Sequence, residues 1–471
     1  MFLGKRTKIV ATIGPASDSE AMLESLINQG IDAARLNFSH GNYEEHGARI
    51  EKIRRLEKKL GKQVAIIADL QGPKIRVGVM PQTGLELKNG ETVTIDTSKK
   101  EFENDIIPLP SAIFRDGTSE GHVVFLDDGV LQLKITHKSG DKFKAVVLKG
   151  GFLFSKKGVN VPQLDNKSSI LSAKDKSDME FAISRDVDYI ALSFLRNGED
   201  VKIARRSLKG SKTKIIAKIE RPEALVHLDE IIDQVDAVMV ARGDLGIETP
   251  IWELPIRQKE IVQKVRSKMK PVIVATQMLD SMIRNPIPTR AEVSDIANAV
   301  YDGADAVMLS GESAQGKYPL EAVEMMRKVL EATESEKEFF PVAYQNADTS
   351  VVVSVAKSAN YIAQEVDAKA IIAGTVTGNS ARVVSHFRPH QHIISITEDE
   401  KIARELSLVW GVTSLVIKNQ KSKSVEKLIE GAITMLKKEE VFKKGEKAVC
   451  VFGDKLGISN TTNSVTVKTI T

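Results

Sequence analysis

The chain has 471 residues, of which 42% are hydrophobic and 28% charged. This balance is typical of a globular protein, and the length suggests about three domains. The net charge of +4 is spread over interspersed charges of both signs, so nothing indicates a nucleic-acid or membrane partner. No stretch approaches a membrane span, and the first residues contain no long apolar segment. The one cysteine, Cys450, is expected in a buried strand rather than in a disulfide, and together these features predict a cytoplasmic protein.

Eight short apolar runs alternate with amphipathic, helix-like stretches along most of the chain. Such runs between helices are typical of buried parallel strands, and eight βα units predict a (β/α)8 TIM barrel. The runs are 7–14, 33–39, 64–70, 189–195, 214–220, 237–243, 271–277 and 306–312.

Most runs become polar at the C-terminal end, which is where such barrels carry their active sites. One or two polar residues could simply cap strands or begin helices, but a whole ring of them predicts a catalytic site. The residues of this ring are Arg35, Asn37, Ser39, Asp69, Ser193, Lys218, Glu220, Arg242, Asp244, Thr276, Ser310 and Glu312.

Two regions depart from the barrel pattern. Period-two alternation with Asn-Gly and Asp-Gly turns predicts a small β-barrel domain inserted after the third run, hinged over the barrel mouth as a lid. After about residue 340, helices and strands alternate again and predict a smaller C-terminal α/β domain. The predicted division is a barrel over 1–72 and 166–339, a lid over 73–165 and a C-terminal domain over 340–471.

The segment AKIERPE places Lys218 and Glu220 on one face of a strand, because strand side chains alternate. Asp244 follows the next run in an Arg-Gly-Asp-Leu-Gly segment, whose backbone N–H groups could hold an anion. Two carboxylates with no histidine or cysteine nearby favour Mg²⁺ or Mn²⁺ over zinc. An ordinary ion pair and a common Gly-Asp turn would leave the same pattern.

Two further groups of polar residues suggest chemistry. The guanidinium of Arg35 is a fixed fork of donors suited to phosphate, whereas His40 is more often a hydrogen-bonded loop residue. Thr276, Ser310 and Glu312 supply hydroxyls and a carboxylate, which suit a water chain rather than a direct nucleophile. No Ser-His-Asp or Cys-His pattern is evident.

Seven stretches occur in a fixed order along the chain: TKIVATIGPAS, ARLNFSHG, QGPKIR, AKIERPE, VARGDLG, ATQML and LSGESAQGKYP. Together they resemble the signature blocks of the pyruvate kinase family, and the resemblance extends over the insert and the C-terminal domain. It implies Mg²⁺-dependent phosphoryl transfer from phosphoenolpyruvate to ADP, giving pyruvate and ATP, as the last step of glycolysis. It also implies a homotetramer. Phosphoryl transfer needs charge neutralisation and positioning more than covalent chemistry, which suits the polar ring.

The resemblance also implies roles for individual residues. The implied catalytic residues are Lys218, Arg35, Thr276, Ser310 and Glu312, and the implied metal ligands are Glu220 and Asp244. The implied substrate-binding residues are Arg35, Gly243, Asp244, Thr276 and Arg76. The implied nucleotide-binding residues are His40, Lys174, Asn37, Arg76 and Asp127, of which the last two would reach in from the lid.

The stretch ADLQGPKIRVG differs from the potassium-dependent branch of this family. In that branch, K⁺ is bound by residues matching Asn37, Ser39 and Asp69 and by the carbonyl of a threonine, where this chain has Leu70. A glutamate stands there in place of Lys74. We expect the Lys74 ammonium, placed near Asp69, to supply the charge that K⁺ otherwise brings, so that K⁺ is not required. A lysine pointing to solvent is the alternative.

The segment AKAIIAGTVTGNSARVVSHFRP predicts a strand, a turn and a helix whose N-terminus could hold an anion. It resembles the family's effector phosphate cradle, with Thr375, Thr377, Gly378, Asn379 and Ser380 as candidates. A capped helix without a ligand is the alternative. The facing loop has Lys455 and Asn460 where the family has proline and glycine. Because this loop carries a single cation, a sugar monophosphate or AMP is favoured over a bisphosphate.

Two other classes of function stay open on the sequence alone. A different barrel enzyme, such as a Mg²⁺-dependent aldolase or a phosphoenolpyruvate mutase, would need no ADP. A non-enzymatic phosphometabolite sensor would bind ligands at the C-terminal domain without turnover. The intact set of polar residues argues against a sensor, which would not need all of Arg35, Lys218, Glu220, Asp244 and Thr276.

Overall fold

The computed structural model describes residues 4–164, 169–336, 349–418, 425–453 and 462–471. The chain begins with three strands and two helices: β1 (Lys8–Thr12), α1 (Glu20–Gln29), β2 (Ala33–Asn37), α2 (Tyr43–Leu60) and β3 (Ala65–Asp69). Helix α1 shows why these boundaries form. Ser19 accepts a hydrogen bond from the Met22 N–H at its start, and Gly30 ends it with φ +111°. This left-handed conformation carries no Cβ penalty for glycine.

The inserted segment is almost entirely β-structure. Its elements are β4 (Ile75–Arg76), β5 (Leu85–Leu87), β6 (Thr92–Asp96), β7 (Ile106–Pro108), α3 (Ala112–Gly117), β8 (Val123–Leu126), β9 (Leu131–Ser139), β10 (Lys142–Lys149), β11 (Gly151–Leu153) and β12 (Gly158–Asn160). Seven strands form one sheet in the order β4-β12-β8-β9-β10-β6-β7, and β11 pairs with β5. The predicted inserted β domain, here called the lid, is therefore present, but its strands do not close into a small barrel among the residues described; its movement as a lid stays a prediction.

The chain then returns to alternating helices and strands. The elements are α4 (Ala173–Ser184), β13 (Tyr189–Leu192), α5 (Gly198–Ser207), β14 (Lys214–Ile219), α6 (Pro222–Val226), α7 (Leu228–Gln234), β15 (Ala237–Ala241), α8 (Arg242–Glu248), α9 (Leu254–Ser267), β16 (Val272–Ala275), α10 (Arg290–Asp302), β17 (Ala306–Leu309), α11 (Gly311–Ala314) and α12 (Pro319–Ser335). Eight parallel strands close into a barrel in the order β1-β17-β16-β15-β14-β13-β3-β2. Each lies within one of the eight apolar runs, which confirms the (β/α)8 prediction.

The C-terminal part is a separate α/β unit, as predicted. It comprises α13 (Val351–Glu365), β18 (Ala370–Gly374), α14 (Asn379–His386), β19 (His392–Thr397), α15 (Glu400–Glu405), β20 (Val412–Val416), α16 (Val425–Lys438), β21 (Lys447–Gly453) and β22 (Thr462–Thr469). The sheet order is β20-β19-β18-β21-β22, with β22 an antiparallel edge strand. Cys450 is fully buried in β21, as expected.

The C-terminal domain packs against the end of the barrel opposite the polar ring. Tyr189, at the start of β13, donates its hydroxyl hydrogen bond to the Glu405 carbonyl at 2.8 Å. Asp305, just before β17, forms a 3.0 Å ion pair with Arg388. Both contacts lie at N-terminal ends of barrel strands. The C-terminal domain is therefore at the opposite end of the barrel from the barrel mouth, where the strands have their C-terminal ends.

The predicted domain boundaries stay predictions. The predicted end of the insert, at residue 165, and the predicted start of the C-terminal domain, at residue 340, lie outside the described residues. Within the described ranges, no helix is both long and apolar enough to cross a membrane.

Candidate active site

Lys218 occupies the centre of the barrel mouth. Its Nζ lies 2.7 Å from Glu220 Oε1 and 3.3 Å from Asp69 Oδ1, and it donates a 2.8 Å hydrogen bond to Ser193 Oγ. Lys218 and Glu220 share a strand face, as the alternation predicts. Burial alone would lower the pKa of Lys218, but the carboxylates of Asp69 and Glu220 outweigh it and raise that pKa. The ammonium therefore stays charged at any physiological pH.

Arg35 is held beside the same cluster. Its Nε donates to Asp69 Oδ2 at 2.6 Å, and its Nη1 donates to Thr12 Oγ1 at 3.0 Å. Burial acts to raise the pKa of Asp69, but Lys218 and Arg35 overcome that effect and lower it. Asp69 is thus a buried anion that fixes two cations at the mouth.

Glu220 and Asp244 form a pair of neighbouring carboxylates. Glu220 is buried, and its Oε2 accepts a 2.7 Å hydrogen bond from the Phe194 N–H. Burial raises the pKa of Glu220, Lys218 opposes this, and the negative charge of Asp244 adds to it. Among the residues described, no set of three or more histidine, cysteine or acidic side chains gathers as a metal cage. Two carboxylates suit a hard cation such as Mg²⁺, which takes few protein ligands beside substrate oxygens and water.

Lys74 has a different partner from the one the sequence suggested. Its Nζ lies 3.0 Å from Asp244 Oδ1 and 5.8 Å from the centre of the Phe194 ring. Its side chain is 19% exposed, so it does not point to solvent. Both carboxylate oxygens of Asp69 contact other cations, Arg35 and Lys218.

The remaining candidates for a monovalent-cation site satisfy one another locally. Asn37 Oδ1 accepts a 3.1 Å hydrogen bond from the Ser39 N–H. The Leu70 carbonyl, which was expected to be available, accepts a 2.8 Å hydrogen bond from Ser193 Oγ. Because Ser193 also accepts from Lys218, this hydroxyl joins the loop after β3 to the central lysine.

Thr276 is held in an unusual backbone conformation, with φ +68°. A β-branched residue rarely adopts this conformation, which indicates local strain. Arg242 stabilises it by donating to the Thr276 carbonyl at 2.6 Å. The Thr276 hydroxyl accepts a 2.9 Å hydrogen bond from the Gly243 N–H. One of the backbone groups expected to hold an anion is therefore directed at Thr276.

Glu312 connects the loops that follow β16 and β17. Its carboxylate accepts hydrogen bonds from the Leu279 N–H at 3.1 Å and the Ser310 N–H at 2.7 Å. Burial raises its pKa. The Ser310 hydroxyl is buried and has no hydrogen-bond partner in the described part of the chain. Glu312 thus fixes the position of both loops, and the Ser310 hydroxyl remains available to form a hydrogen bond.

The predicted nucleotide residues lie at the edge of the mouth and on the lid. Burial lowers the pKa of His40, and the positive charges of Arg76 and Arg35 add to this effect. Lys174 donates to the Phe38 carbonyl at 2.7 Å and pairs with Asp178 at 2.6 Å.

Two lid residues are held by the lid itself. Arg76 donates to the Lys156 carbonyl at 3.1 Å. Asp127 pairs with Lys157 at 2.8 Å. Neither of these contacts joins the lid to the barrel.

The predicted effector cradle is a turn followed by a helix, as expected. Gly378 precedes α14 with φ +82°, and Ser380 Oγ hydrogen-bonds Thr462 Oγ1 at 2.6 Å in a buried position. Thr375 donates its N–H to the Ile396 carbonyl at 2.9 Å. Thr377 is exposed and Asn379 half-buried. Lys455 and Asn460 of the facing loop lie outside the described residues.

Arg382 is a cation at this cradle that the sequence reasoning missed. It donates to the Thr377 carbonyl at 2.6 Å, and a Cβ added at Gly378 would lie 2.8 Å from its Nη1. Arg382 follows Gly378 by four positions, so helical spacing could have identified it. Thr12, the second partner of Arg35, was also missed and carried no comparable signal, because isolated hydroxyls are common at strand ends.

Comparison with known proteins gives consistent results. Residues 4–323 match the family of pyruvate kinase barrel domains, and residues 353–468 match the pyruvate kinase alpha/beta domain. A curated pyruvate kinase from Sporosarcina psychrophila is 40% identical over 99% of this chain and 80% of its own length. One from Staphylococcus saprophyticus is 42% identical over 98% of this chain and 79% of its own length. A crystal structure of a pyruvate kinase from Cryptosporidium parvum superposes with a TM-score of 0.90 at 35% identity, covering 99% of this chain and 96% of that one.

Proposed function

This chain belongs to the pyruvate kinase family, and we propose that it transfers the phosphoryl group of phosphoenolpyruvate to ADP with the help of Mg²⁺ or Mn²⁺. The observation that carries this proposal is the buried cluster of Lys218 and Arg35 held by Asp69. Two fixed cations at the mouth of a barrel suit a reaction in which negative charge moves between oxygens.

The decisive experiment is a pyruvate assay with purified protein, phosphoenolpyruvate, ADP and Mg²⁺. We expect pyruvate to form in proportion to ADP and ATP to appear in equal amount. Consumption of phosphoenolpyruvate without ADP would instead indicate a mutase or aldolase. Ligand binding without turnover would indicate a sensor.

Glu220 and Asp244 are the proposed metal ligands. They fit a hard divalent cation, since both donors are carboxylates; burial raises the pKa of Glu220, and the negative charge of Asp244 adds to this effect. When bound, the metal neutralises charge on substrate and phosphoryl oxygens. Lys218 and Arg35 would orient the phosphoryl group from the other side, and Asp69 would keep both in place.

Thr276, Ser310 and Glu312 are proposed to serve protonation of the enolpyruvate carbon. Thr276 would contact the substrate, and its hydroxyl is oriented by the Gly243 N–H. The Ser310 hydroxyl, which has no hydrogen-bond partner among the described residues, could bind a water beside it. Glu312, which contacts backbone N–H groups, would act as a positioning residue.

Substrate and nucleotide would meet between barrel and lid. We propose that Gly243, Asp244 and Arg76 contact the substrate and that Asn37, His40, Lys174, Arg76 and Asp127 contact the nucleotide. The lid contacts of Arg76 and Asp127 are single bonds that a substrate could replace.

We also propose that the activity of this protein does not require potassium. Lys74 places its ammonium 3.0 Å from the Asp244 carboxylate. The residues that match the K⁺ site of potassium-dependent relatives are Asn37, Ser39, Asp69 and Leu70, and they already have hydrogen-bond or ion-pair partners within the protein. No monovalent cation is then needed to balance the carboxylates.

We further propose an effector site and a homotetramer, in the cytoplasm. The effector would be a sugar monophosphate or AMP bound by Thr375, Thr377, Gly378, Asn379 and Ser380, with Arg382 as the added cation. Exposed apolar residues support assembly: Ile251, Trp252 and Ile256 on the barrel, and Tyr361 and Val467 beside the open edge of β22.

A further inference from the structure

Arg266, at the C-terminal end of α9, is a buried cation with no ion-pair partner among the residues that the structure describes. The residue is 7% exposed, and its Nε and Nη2 have no hydrogen-bond partner among the described residues. Burial and the charge of Arg388, partly opposed by Asp305, lower its pKa to about 10, so it is still charged at neutral pH. An unpaired buried charge is strongly destabilising.

The nearest carboxylate cannot satisfy Arg266, because its oxygens are already used. Asp305 Oδ1 pairs with Arg388 at 3.0 Å and accepts from the Trp410 N–H at 3.2 Å. Asp305 Oδ2 accepts from the Val272 N–H at 3.0 Å. The guanidinium of Arg266 instead lies over Gly303, where an added Cβ would come within 2.3 Å of Nη1.

Arg266 borders a small cavity between the barrel and the C-terminal domain. The charged or titratable residues of its wall are Arg266, Lys270, Asp305, Arg382, His386 and Arg388. Burial, together with Arg266 and Arg388, lowers the pKa of His386 to about 4, so this imidazole is neutral at pH 7. The wall therefore carries four cations and one carboxylate.

The size of the cavity limits what can occupy it. It offers about 10 Å³ to the centre of a water-sized sphere, which is the room one such sphere needs. A monatomic ion fits with small side-chain adjustments, whereas a phosphate group is too large. A water molecule would fill the space but would leave the charge of Arg266 unbalanced.

We propose that a monatomic inorganic anion, chloride in ordinary buffers, binds in this cavity against Nε and Nη2 of Arg266. The ion compensates the excess positive charge and joins α9 of the barrel to α14 of the C-terminal domain. Since α14 begins at the proposed effector cradle, the same helix carries both anion sites. This inference does not depend on the proposed catalytic function.

The first test is thermal unfolding of the full chain in sodium chloride and in sodium gluconate at equal ionic strength. We expect chloride to raise the melting temperature saturably, by ~2 °C. In Arg266→Met the chloride effect should vanish, and its melting temperature in gluconate should equal or exceed that of the wild type. Arg257→Met is the matched control on the same helix; Arg257 pairs with Glu253 at 2.8 Å, and this variant should keep the chloride effect.

The second test is diffraction from crystals of the wild-type protein soaked in bromide. An anomalous peak in contact with Arg266 is expected. Absence of that peak, or an equal chloride response in wild type and Arg266→Met, would overturn the proposal. If Arg266→Met does not fold, the bromide experiment on the wild type decides alone.

Discussion

The Lys74 ammonium lies 3.0 Å from the carboxylate of Asp244, across a sequence separation of 170 residues. Lys74 sits at the joint between the third barrel strand and the inserted sheet, and Asp244 is a proposed metal ligand. A residue at the joint of the inserted sheet is thus in direct contact with a proposed metal ligand.

From the contact between Lys74 and Asp244 we predict how the rate of pyruvate formation depends on potassium. The wild type should form pyruvate at the same rate in buffer free of potassium and with potassium added. Lys74→Glu places a carboxylate beside Asp244, so its rate should fall about 100-fold without potassium and recover in part when potassium is present. The measurement is initial rate against potassium concentration, with tetramethylammonium to hold ionic strength.

Lys99→Glu is the control for this experiment, since Lys99 lies on the lid and pairs with the exposed Glu103 at 2.8 Å. It should behave like the wild type. A potassium requirement in the wild type, or a rate for Lys74→Glu that is the same with and without potassium, would contradict the proposed role of Lys74.

Replacing the central lysine should abolish most of the activity. Lys218→Met removes the cation between Asp69 and Glu220, and we expect kcat to fall about 1000-fold. It should also lower the melting temperature, because two buried carboxylates lose a partner. Steady-state kinetics and thermal unfolding check both effects. Lys264→Met, at a partly exposed position on α9 where Lys264 pairs with Asp229 at 3.1 Å, should change neither; comparable kcat values for the two variants would refute the role of Lys218.

The hydroxyl of Thr276 should matter for protonation more than for binding. Thr276→Val keeps the shape but removes the acceptor for the Gly243 N–H, so kcat should fall about 100-fold with a smaller change in KM. Exchange of the methyl protons of pyruvate in D₂O should slow in parallel. Thr276→Ser keeps the hydroxyl and should recover most of the rate; failure of this rescue would point to a purely structural role.

Glu405 should make the junction of barrel and C-terminal domain sensitive to pH. Burial raises its pKa to about 7, against an ordinary value of 4.5, with Lys214 opposing the effect. The folded state therefore binds this proton more tightly than the unfolded state, and stability falls as pH rises from about 4.5 to 7. Glu405→Gln should match the wild type near pH 5 and melt about 3 °C higher at pH 8.

Melting curves of wild type and Glu405→Gln at several pH values measure this difference. Glu365→Gln, at an exposed position on α13, is the control and should show no such trend. A constant difference between Glu405→Gln and wild type over the whole pH range would exclude titration of Glu405.

The effector proposal depends on Arg382. Titration calorimetry with ribose 5-phosphate and with AMP should give binding to the wild type for one of them. Arg382→Met should weaken that binding about tenfold, because a charged hydrogen bond to the phosphate is lost. Lys369→Met, also in the C-terminal domain and exposed, should bind normally. No heat with either ligand in the wild type would remove the proposal.

The eight barrel strands could be predicted because the information for each is local: a short apolar run between helix-like stretches. The polar ring could be predicted because the C-terminal ends of the barrel strands lie together at one end of the barrel. The ion pairs and hydrogen bonds between its side chains could not be predicted. Lys74 lies close to Asp69 in sequence, yet it contacts Asp244, because the barrel order and the fold of the insert bring distant loops together. Arg266 gave no signal either, since its burial depends on a second domain.

Strand β13 connects the C-terminal domain with Lys218. Its first residue, Tyr189, is hydrogen-bonded to the C-terminal domain, and Ser193, just past its last residue, is hydrogen-bonded to Lys218. The two side chains are four positions apart, so they share a face of a strand that is paired on both sides. The distance along the chain from Tyr189 to Ser193 is about 13 Å, and pairing with a neighbour on each side makes this strand rigid. A displacement of the C-terminal domain along the barrel axis would therefore be transmitted to Lys218 through β13 and the residue that follows it.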